Sequence, residues 1–421
     1  MDSLLIEGGC TLQGEVTVSG AKNAVLPIMA AALLTEESCI IKNAPNLSDV
    51  RFMGQILASL GAKVEFDGDT VVIQSKEIHG RGDYDLIRKM RGSVCILGPL
   101  LARLGVAEVS LPGGCVIGSR PIDLHLKGME ALGALVEIRS GYVIVRADEL
   151  VGNQVFLGGR VGPTVLGTAN VMMAAVLAKG RTIIESAACE PEIVDLADFL
   201  IGMGAKIKGA GSPTITIEGV ARLHGTSHEV IPDRIEAATF AVAAAATRGD
   251  VLIHGARCEH LGAVLDKLSD AGVSFTRGEK TLHVTGADVF KPVDVTTQPF
   301  AGFPTDTQAQ MMALMTLTDG ISVITERIFE SRFMHVSELA RLGAEIAIEG
   351  GATAIVKGGR PLSGAPVMAS DLRASAALVI AGLVADGETT VKRIYHLDRG
   401  YERIDQKLEK LGGRVRRVKE S

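Results

Sequence analysis

The stretch Ser59–Phe66, SLGAKVEF, recurs with small variations along the whole chain. Its counterparts are ALGALVEI (131–138), GMGAKIKG (202–209), DAGVSFTR (270–277), RLGAEIAI (341–348) and KLGGRVRR (410–417). Their shared glycines are Gly61, Gly133, Gly204, Gly272, Gly343 and Gly412, separated by 72, 71, 68, 71 and 69 positions. A period this constant indicates six copies of one structural unit.

Each of these glycines is expected to end a helix, because glycine enters the left-handed C′ conformation at little cost. A second helix precedes it in every copy and is apolar nearly all round, which is typical of fully buried helices. These buried helices are predicted over Lys22–Leu34, Met90–Leu104, Pro163–Lys179, Asp233–Arg248, Thr305–Asp319 and Asp371–Asp386. With the strand-like runs between and after them, the copies predict an α/β protein whose repeat is helix–strand–helix–strand–strand.

The two ends of the chain are expected to fold together. The last copy, ending RVRRVKES, is one strand short, and the chain opens with SLLIEGG, a strand without a preceding partner. We therefore predict two domains of three copies each, one over 22–229 and the other over 1–21 together with 230–421. The polar stretch Leu223–Val230 is the expected hinge.

The composition is that of a globular protein in a reducing compartment. Of 421 residues, 47% are hydrophobic and 22% charged, with a net charge of -6 and no Trp, which argues against a nucleic-acid partner. MDSLLIEGG lacks a basic signal-peptide region, and the apolar run Ala376–Ala385 is about half of a membrane span. Six cysteines without a C-x-x-C spacing fit a cytoplasmic location with reduced thiols. The oligomeric state is left open, and a monomer is possible.

The segment Leu111–His125, LPGGCVIGSRPIDLH, combines several reactive side chains on a glycine-rich stretch. A thiol, a guanidinium, a carboxylate and an imidazole follow one another as Cys115, Arg120, Asp123 and His125. A functional loop is one interpretation, and a surface loop around an inert, small buried cysteine is the other.

Four of the buried helices begin with a base, where a cation opposes the helix dipole. These bases are Lys22, Arg91, Arg234 and Arg373. A single base at such a place is explained by solvation, but four among six units favour an anionic ligand at the helix starts. The later loops add Arg332 and Arg399.

From the residues alone we expect no metal ion. His125 and His335 are possible ligands, but no second ligand lies near either at the spacing that metal sites use.

Nine segments together resemble the enolpyruvyl transferase family that acts on UDP-N-acetylglucosamine, over the whole chain. They are AKNA (21–24), LPGGC (111–115), GSRPIDLH (118–125), EPEIVD (190–195), PDRIE (232–236), FPTDTQAQ (303–310), ESRFMH (330–335), DLRASA (371–376) and IYHLDRGYERI (394–404).

The resemblance implies the two-domain enolpyruvyl-transferase fold, an inside-out α/β barrel with six βαβαββ repeats, three per domain. It also implies a reaction. The enolpyruvyl group of phosphoenolpyruvate moves to the 3′-hydroxyl of UDP-N-acetylglucosamine, with loss of phosphate, through a tetrahedral ketal and without a cofactor. This is the first committed step of peptidoglycan synthesis, on which cell shape and cell division depend.

The resemblance also implies roles for particular residues. Cys115 matches a general acid that can hold phosphoenolpyruvate covalently and that the epoxide antibiotic fosfomycin alkylates. Asp306 matches the base toward the 3′-hydroxyl. Lys22, Arg120 and Arg399 match phosphoenolpyruvate-binding residues, of which Lys22 and Arg399 also count as catalytic, and Arg91, Arg332 and Arg373 belong to the same basic cluster.

A second set of residues matches the binding site for UDP-N-acetylglucosamine. It comprises Asn23, Arg91, Arg120, Pro121, Ile122, Asp123, Leu124, His125, Arg160, Val161, Gly162, Pro163, Asp306 and Ile328. Two departures from the family pattern are Ser48, where some members have Lys, and RVGPT over 160–164.

Three other functions are compatible with parts of the pattern. The sister enzyme of the shikimate route uses the same fold and donor with another acceptor, but LPGGC and GSRPIDLH argue against it. A non-catalytic nucleotide-sugar sensor would not need Cys115 and Asp306 together. A structural repeat protein would not need bases at its helix starts.

Overall fold

The computed structural model describes residues 2–111 and 121–419. Within these ranges the α-helices are α1 Lys22–Ala31, α2 Ser48–Ser59, α3 Tyr84–Ile87, α4 Leu97–Leu104, α5 Asp123–Ala131, α6 Val165–Ala175, α7 Pro191–Gly202, α8 Arg234–Ala246, α9 Gly262–Asp270, α10 Gln308–Met315, α11 His335–Arg341, α12 Leu372–Val384 and α13 Ile404–Lys410. Short 3₁₀ turns extend two of the buried helices at their starts, over Arg91–Ile96 and Thr305–Thr307.

The strands are short and lie mostly between the helices. They are β1 Asp2–Glu7, β2 Gln13–Thr17, β3 Cys39–Lys42, β4 Lys63–Asp67, β5 Thr70–Gln74, β6 Val106–Ser110, β7 Leu135–Arg139, β8 Tyr142–Arg146, β9 Gln154–Phe156, β10 Gly158–Gly159, β11 Gly162–Pro163, β12 Arg181–Glu185, β13 Lys206–Lys208, β14 Thr214–Glu218, β15 Ser227–Glu229, β16 Asp250–His254, β17 Ser274–Arg277, β18 Thr281–Thr285, β19 Val295–Thr296, β20 Ile321–Thr325, β21 Glu345–Glu349, β22 Thr353–Lys357, β23 Pro366–Met368, β24 Glu388–Lys392 and β25 Arg414–Lys419.

The six-fold repeat is confirmed in the order of these elements. Each copy consists of a buried helix, a strand, a second helix and two antiparallel strands, as in α8–β16–α9–β17–β18. The last copy takes its final strand from the other end of the chain. β1 pairs antiparallel with both β24 and β25, and Leu4 lies opposite Val391 on one side and Arg417 on the other. The expectation that the first residues complete the last copy is therefore confirmed.

A fourth strand, which sequence reasoning from the residues missed, joins the sheet in most copies. It precedes the buried helix and runs parallel to the first strand of its sheet, as β9 does beside β12. Two of these strands are exchanged along the chain, because β2 pairs with β16 and β15 pairs with β3. Residues 227–229, expected to be part of a hinge, thus form a strand. The second copy has α3 in this place, capped by Asp83, whose carboxylate accepts from Leu86 N over 2.9 Å.

The repeated glycines adopt the conformation that their helix-ending role requires. Their φ angles are 102° at Gly61, 94° at Gly133, 100° at Gly204, 92° at Gly272, 98° at Gly343 and 87° at Gly412. These values lie in the region that side chains disfavour, so the L-G-A pattern is a backbone requirement and the prediction is confirmed.

The tertiary contacts group the described chain into two compact units. The N-terminal unit runs from Gly20 to Ile231, and the C-terminal unit joins residues up to Ser19 with those from Pro232 onward. Within each unit the apolar helices pack together inside and the sheets lie outside them, around a separate hydrophobic core. The domain boundaries expected from the sequence, 22–229 and 1–21 with 230–421, stay a prediction.

Among the described residues, none of the helices combines the length and the apolar character needed to cross a bilayer.

Candidate functional site

The carboxylate of Asp306 is held by two buried guanidinium groups of the C-terminal unit. Its Oδ1 accepts from Arg332 Nη1 over 2.8 Å, and its Oδ2 accepts from Arg373 Nε over 3.3 Å. Asp306 lies in the 3₁₀ turn Thr305–Thr307, which presents it before α10 begins. Asp233 and Asp371, at equivalent helix starts, cap their helices by accepting from backbone N–H groups. Asp306 differs from them because its described partners are arginine side chains.

The two arginines are almost completely removed from solvent. The side chains of Arg332 and Arg373 are 5% and 1% exposed. Burial disfavours the charged form of Arg332, but Asp306 and Asp371 outweigh this and raise its pKa. Arg373 Nη1 and Nη2 have no hydrogen-bond partner among the residues that the structure describes. A buried guanidinium with unpaired donors is costly, and an anion that accepted from them would remove the cost.

A buried glutamate connects the loop after β20 to this pair. Glu326 is fully buried, and its Oε1 accepts from Thr297 Oγ1 over 2.7 Å and from Ile328 N over 2.8 Å. Its Oε2 accepts from Thr305 Oγ1 over 2.9 Å, and Thr305 in turn accepts from Arg332 Nη1 over 3.0 Å. The structure therefore brings Ile328 to the same turn as Asp306.

Tyr401 joins three buried helices behind the arginines. Its hydroxyl lies 2.9 Å from Thr239 Oγ1 of α8 and accepts from Gln310 Nε2 of α10 over 3.1 Å. Its ring centroid lies 5.1 Å from the guanidinium carbon of Arg373 on α12. Gln310 Nε2 also donates to the backbone carbonyl of Asp306 over 3.0 Å. Arg399, two residues before Tyr401, is half-buried.

In the N-terminal unit, Lys22 begins α1 and is buried rather than solvated. Its Nζ lies 2.8 Å from Asp49 Oδ2, and the two side chains are 9% and 1% exposed. Asn23, the next residue, is exposed. Arg91 begins the neighbouring buried helix, and its Nη2 donates to the carbonyl of Pro121 over 3.3 Å. Lys22 and Arg91 are thus fixed on adjacent helix starts, as the repeat predicts.

The segments expected to contact the nucleotide lie against each other in this unit. Pro121–His125 leads into α5, and Arg160 and Val161 form the exposed tip of the hairpin β10–β11. A Cβ on Gly159 would lie only 3.0 Å from Leu124 Cδ1, so the hairpin packs directly on this start of α5. The structure therefore brings 121–125 together with 160–163.

His125 is buried beneath that start and is held neutral. Asn170 Nδ2 donates to His125 Nδ1 over 2.9 Å and to Val94 O over 3.0 Å, while Asn170 Oδ1 accepts from Gly98 N over 2.8 Å. These contacts fix the amide and leave Nδ1 as an acceptor. Burial and the charge of Arg91 lower the pKa of His125 to about 3. His125 is thus placed to support the loop that precedes α5.

Cys115 and Arg120 lie outside the described residues, so their roles remain predictions. The other five cysteines are free thiols. Burial raises the pKa of Cys39 to about 11 and that of Cys95 to about 12, and it also raises the pKa of Cys189 and Cys258. Thiols with raised pKa values are poor nucleophiles at neutral pH.

We also searched the molecule for a metal site and for a groove elsewhere. Over the described part of the chain, His, Cys, Asp and Glu side chains form no group of three or more that could hold a metal ion. A groove of about 470 Å³ lies between α2 and the hairpin β4–β5, where Arg51, Gly54 and Phe66 line it. None of the expected site residues lines that groove.

Sequence reasoning missed the residues that hold the expected site residues in place. These are Asp49, Asn170 and Glu326, together with Thr305, Gln310 and Tyr401, which fall in quoted motifs but were given no role. One signal was available for some of them, since Asn170 and Gln310 are polar side chains within mostly apolar helices. Such residues are buried only when they are hydrogen-bonded, so they mark internal networks. Asp49 and Glu326 carried no such signal.

Comparison with known proteins places the chain in a class. A family model described as EPSP synthase (3-phosphoshikimate 1-carboxyvinyltransferase) matches residues 6–408. Among solved structures, the enolpyruvyl transferase NikO from Streptomyces tendae is similar with a TM-score of 0.91 and 26% identity, over 100% of this chain and 99% of that one. EPSP synthase from Acinetobacter baumannii has the same fold at a TM-score of 0.75 and 18% identity, over 100% of both chains. The class is that of the enolpyruvyl, or 1-carboxyvinyl, transferases, and the expected fold is confirmed.

Full-length relatives narrow the class further. Two proteins called UDP-N-acetylglucosamine 1-carboxyvinyltransferase are similar to the whole chain. The protein from Methylacidiphilum infernorum is 55% identical over 99% of both chains. The protein from Geobacter metallireducens is 54% identical over 100% of both. The chain belongs to the UDP-N-acetylglucosamine 1-carboxyvinyltransferase family.

Proposed function

We propose that this protein transfers the enolpyruvyl group of phosphoenolpyruvate to the 3′-hydroxyl of UDP-N-acetylglucosamine and releases phosphate. Family membership supports the reaction type and both substrates. The observation in the molecule that carries the proposal is the cluster of Asp306, Arg332 and Arg373. It combines a carboxylate with buried cations whose remaining donors call for an anionic ligand.

The cations of the site suit a substrate that has both a carboxylate and a phosphate. Planar guanidinium groups pair with such anions through two parallel hydrogen bonds. We assign phosphoenolpyruvate to Lys22, Arg91, Arg120, Arg332, Arg373 and Arg399. Four of them are fixed before substrate arrives, since Asp49, Pro121 and Asp306 hold Lys22, Arg91 and the pair Arg332 and Arg373. Fixed cations bind without the entropy cost of ordering long side chains.

Asp306 is assigned as the base that takes the proton of the 3′-hydroxyl. As an acceptor from two guanidinium groups it carries the negative charge that a base needs. Phosphoenolpyruvate would compete for the same guanidinium groups and so weaken their hold on the carboxylate. The base would then become stronger only when the donor substrate is in place.

The reaction proceeds by addition and then elimination. The 3′-oxygen bonds to C2 of phosphoenolpyruvate as Asp306 accepts its proton, and Cys115 delivers a proton to the methylene carbon C3. In the resulting ketal, C2 carries the sugar oxygen, the phosphate, the carboxylate and a methyl group. The Cys115 thiolate then takes back a methyl proton, and phosphate leaves with the proton held by Asp306, which restores the double bond and both side chains. No electrons leave the substrates, so the balance needs no redox partner.

The acceptor would be bound mainly by residues of the N-terminal unit. The proposed contacts are Asn23, Arg91, Arg120–His125 and Arg160–Pro163, with Asp306 and Ile328 from the C-terminal unit. Support comes from the packing of Gly159 on Leu124, which joins two of these segments. We place the activity in the cytoplasm, as the first committed step of peptidoglycan synthesis, and so as one on which cell shape and division depend.

The choice of acceptor tests the proposal. Phosphate release is measured with phosphoenolpyruvate and either UDP-N-acetylglucosamine or shikimate 3-phosphate. Release only with the nucleotide sugar is expected. Release only with shikimate 3-phosphate would assign the sister reaction, and binding of the nucleotide sugar without release would indicate a sensor.

A further inference from the structure

Arg417, on the last strand of the chain, is bound by three aspartates. It forms a two-point pair with Asp398, in which Nη1 donates to Oδ2 over 2.9 Å and Nη2 donates to Oδ1 over 2.6 Å. Its Nε donates to Asp405 Oδ2 over 3.3 Å, and its Nη1 lies 3.6 Å from Asp2 Oδ2. The hydrogen bond with Asp398 is the main cause that raises the pKa of Arg417. We call these four residues the Arg417 clamp.

The clamp lies directly beside one of the expected phosphoenolpyruvate-binding residues. Asp398 is the middle residue of the 3₁₀ turn Leu397–Arg399, so it immediately precedes Arg399. On the other side of the turn, the backbone N–H of buried Tyr401 donates to Leu397 O over 3.0 Å. The turn that carries Arg399 is thus held from one side by Arg417 and from the other by Tyr401.

We propose that Arg417 is a positioning residue for Arg399, acting through Asp398; the inference rests on the proposed function. Arg417 fixes the turn and keeps the carboxylate of Asp398 directed toward β25. Without it, Asp398, Asp405 and Asp2 would repel one another, and the released carboxylate of Asp398 would compete with the substrate anion for Arg399. The clamp therefore protects the positive charge that phosphoenolpyruvate needs.

The chain offers a matched control on the same strand. Arg414 of β25 pairs with Glu7 of β1, and these side chains are 58% and 60% exposed. Arg417 resembles Arg414 in two respects. Both lie on β25, and both have an acidic partner on β1, which is Asp2 for Arg417. Of the two arginines, Arg417 contacts the turn that carries Arg399 and Arg414 pairs with Glu7 instead, so they differ in the feature that the proposal concerns.

The test compares Arg417→Ala with Arg414→Ala, using steady-state kinetics for both substrates. In Arg417→Ala the KM for phosphoenolpyruvate should rise about tenfold, a coupling typical of residues in one ionic network. The KM for UDP-N-acetylglucosamine should stay close to that of the wild-type protein. Arg414→Ala should match the wild-type protein in both. A general loss of structure would raise both KM values or lower kcat alone, so the split is specific to positioning.

Two further variants make the test independent of folding in Arg417→Ala. Arg417→Lys keeps the charge but not the two-point geometry. Its KM for phosphoenolpyruvate should therefore lie between the values of the wild-type protein and of Arg417→Ala. In the double variant Arg417→Ala/Asp398→Asn the carboxylate of Asp398 is absent, and the KM for phosphoenolpyruvate should return toward the wild-type value. Equal KM values for phosphoenolpyruvate in the Arg417 and Arg414 variants would overturn the inference alone. An inactive wild-type protein would overturn both it and the proposed function.

Discussion

Asp306 Oδ1 accepts a hydrogen bond from Arg332 Nη1 over 2.8 Å, in a pair whose arginine is almost completely buried. Breaking a buried ion pair is far more costly than breaking an exposed one, because the remaining charge is left without a partner. The same contact therefore contributes to the stability of the C-terminal unit and sets the charge state of the expected base. Substitutions at Asp306 should affect both properties.

Asp306→Asn should lower kcat by about 10²–10⁴-fold, the usual contribution of a general base. Binding of UDP-N-acetylglucosamine, measured by calorimetry, should be nearly unchanged, because the amide keeps the size and one accepting oxygen. Asp250→Asn is the control, since Asp250 pairs with His283 on an exposed sheet surface. A variant with wild-type kcat and a raised KM would make Asp306 a binding residue instead.

The repeated glycines predict a graded loss of stability on substitution. In Gly343→Ala the added Cβ would lie 3.6 Å from Pro361 O, an ordinary contact, so the positive φ is the main source of strain. We expect the free energy of unfolding to fall by about 1–2 kcal/mol. Gly61→Ala should cost more, since its Cβ would lie 2.3 Å from Glu77 O. Gly262→Ala, in open space at the start of α9, should be neutral. Urea unfolding measures the series, and equal losses at the three positions would contradict the assignment.

Two buried histidines predict a loss of stability in mild acid. Burial lowers the pKa of His335 to about 4 and that of His125 to about 3, below the value of about 6.5 in an unfolded chain. As pH falls below about 6.5, the unfolded chain binds protons that the folded protein excludes, so the free energy of unfolding decreases. Between pH 7 and pH 5 each histidine should account for about 2 kcal/mol.

The variant His335→Gln should remove its share of this pH dependence. The free energy of unfolding, measured by urea at both pH values, should then fall about 2 kcal/mol less than in the wild-type protein. His254→Gln serves as the control, because the side chain of His254 is 38% exposed and paired with Glu15. The same pH dependence in His335→Gln and in the wild-type protein would show that His335 is not the group responsible.

Fosfomycin should form a single adduct, on Cys115. The antibiotic is an anion, so the basic cluster of the site should hold it near that thiol, and a cationic neighbour such as Arg120 would stabilise the thiolate. Four of the five described cysteines have thiols whose pKa is raised by burial. Peptide mapping after incubation locates the adduct. Cys115→Asp should stay active and unlabelled, and labelling of another cysteine would refute the assignment.

The repeat was readable from sequence because each copy must end a helix with the same backbone conformation. Gly61 and its five counterparts have φ angles that only glycine adopts at low cost, and this requirement leaves a periodic mark. Buried helices left a mark as well, since they are apolar on all sides. The short parallel strands left none. β9 and β15 have three residues each, too few to show an alternating pattern.

Some residues of the candidate site could be recognised from the sequence and others could not. Lys22, Arg91 and Arg373 were noticeable because each is a base where a helix dipole disfavours one. The residues that hold the site were not noticeable in the sequence. Asp49 and Glu326 are far along the chain from residues that they hold, or lie in a loop of ordinary composition. The exchange of β2 and β15 between copies could not be predicted either, since either strand satisfies the pattern of its own copy. Tertiary packing decides such pairings.

Identification of the product by mass spectrometry decides whether the proposed transfer takes place. The wild-type protein is incubated with phosphoenolpyruvate and UDP-N-acetylglucosamine, and the nucleotide sugar is then fragmented. We expect a nucleotide sugar heavier by one enolpyruvyl group, attached at the 3′-oxygen, together with an equal amount of phosphate. An unchanged nucleotide sugar, or an enolpyruvyl group at another hydroxyl, would contradict it.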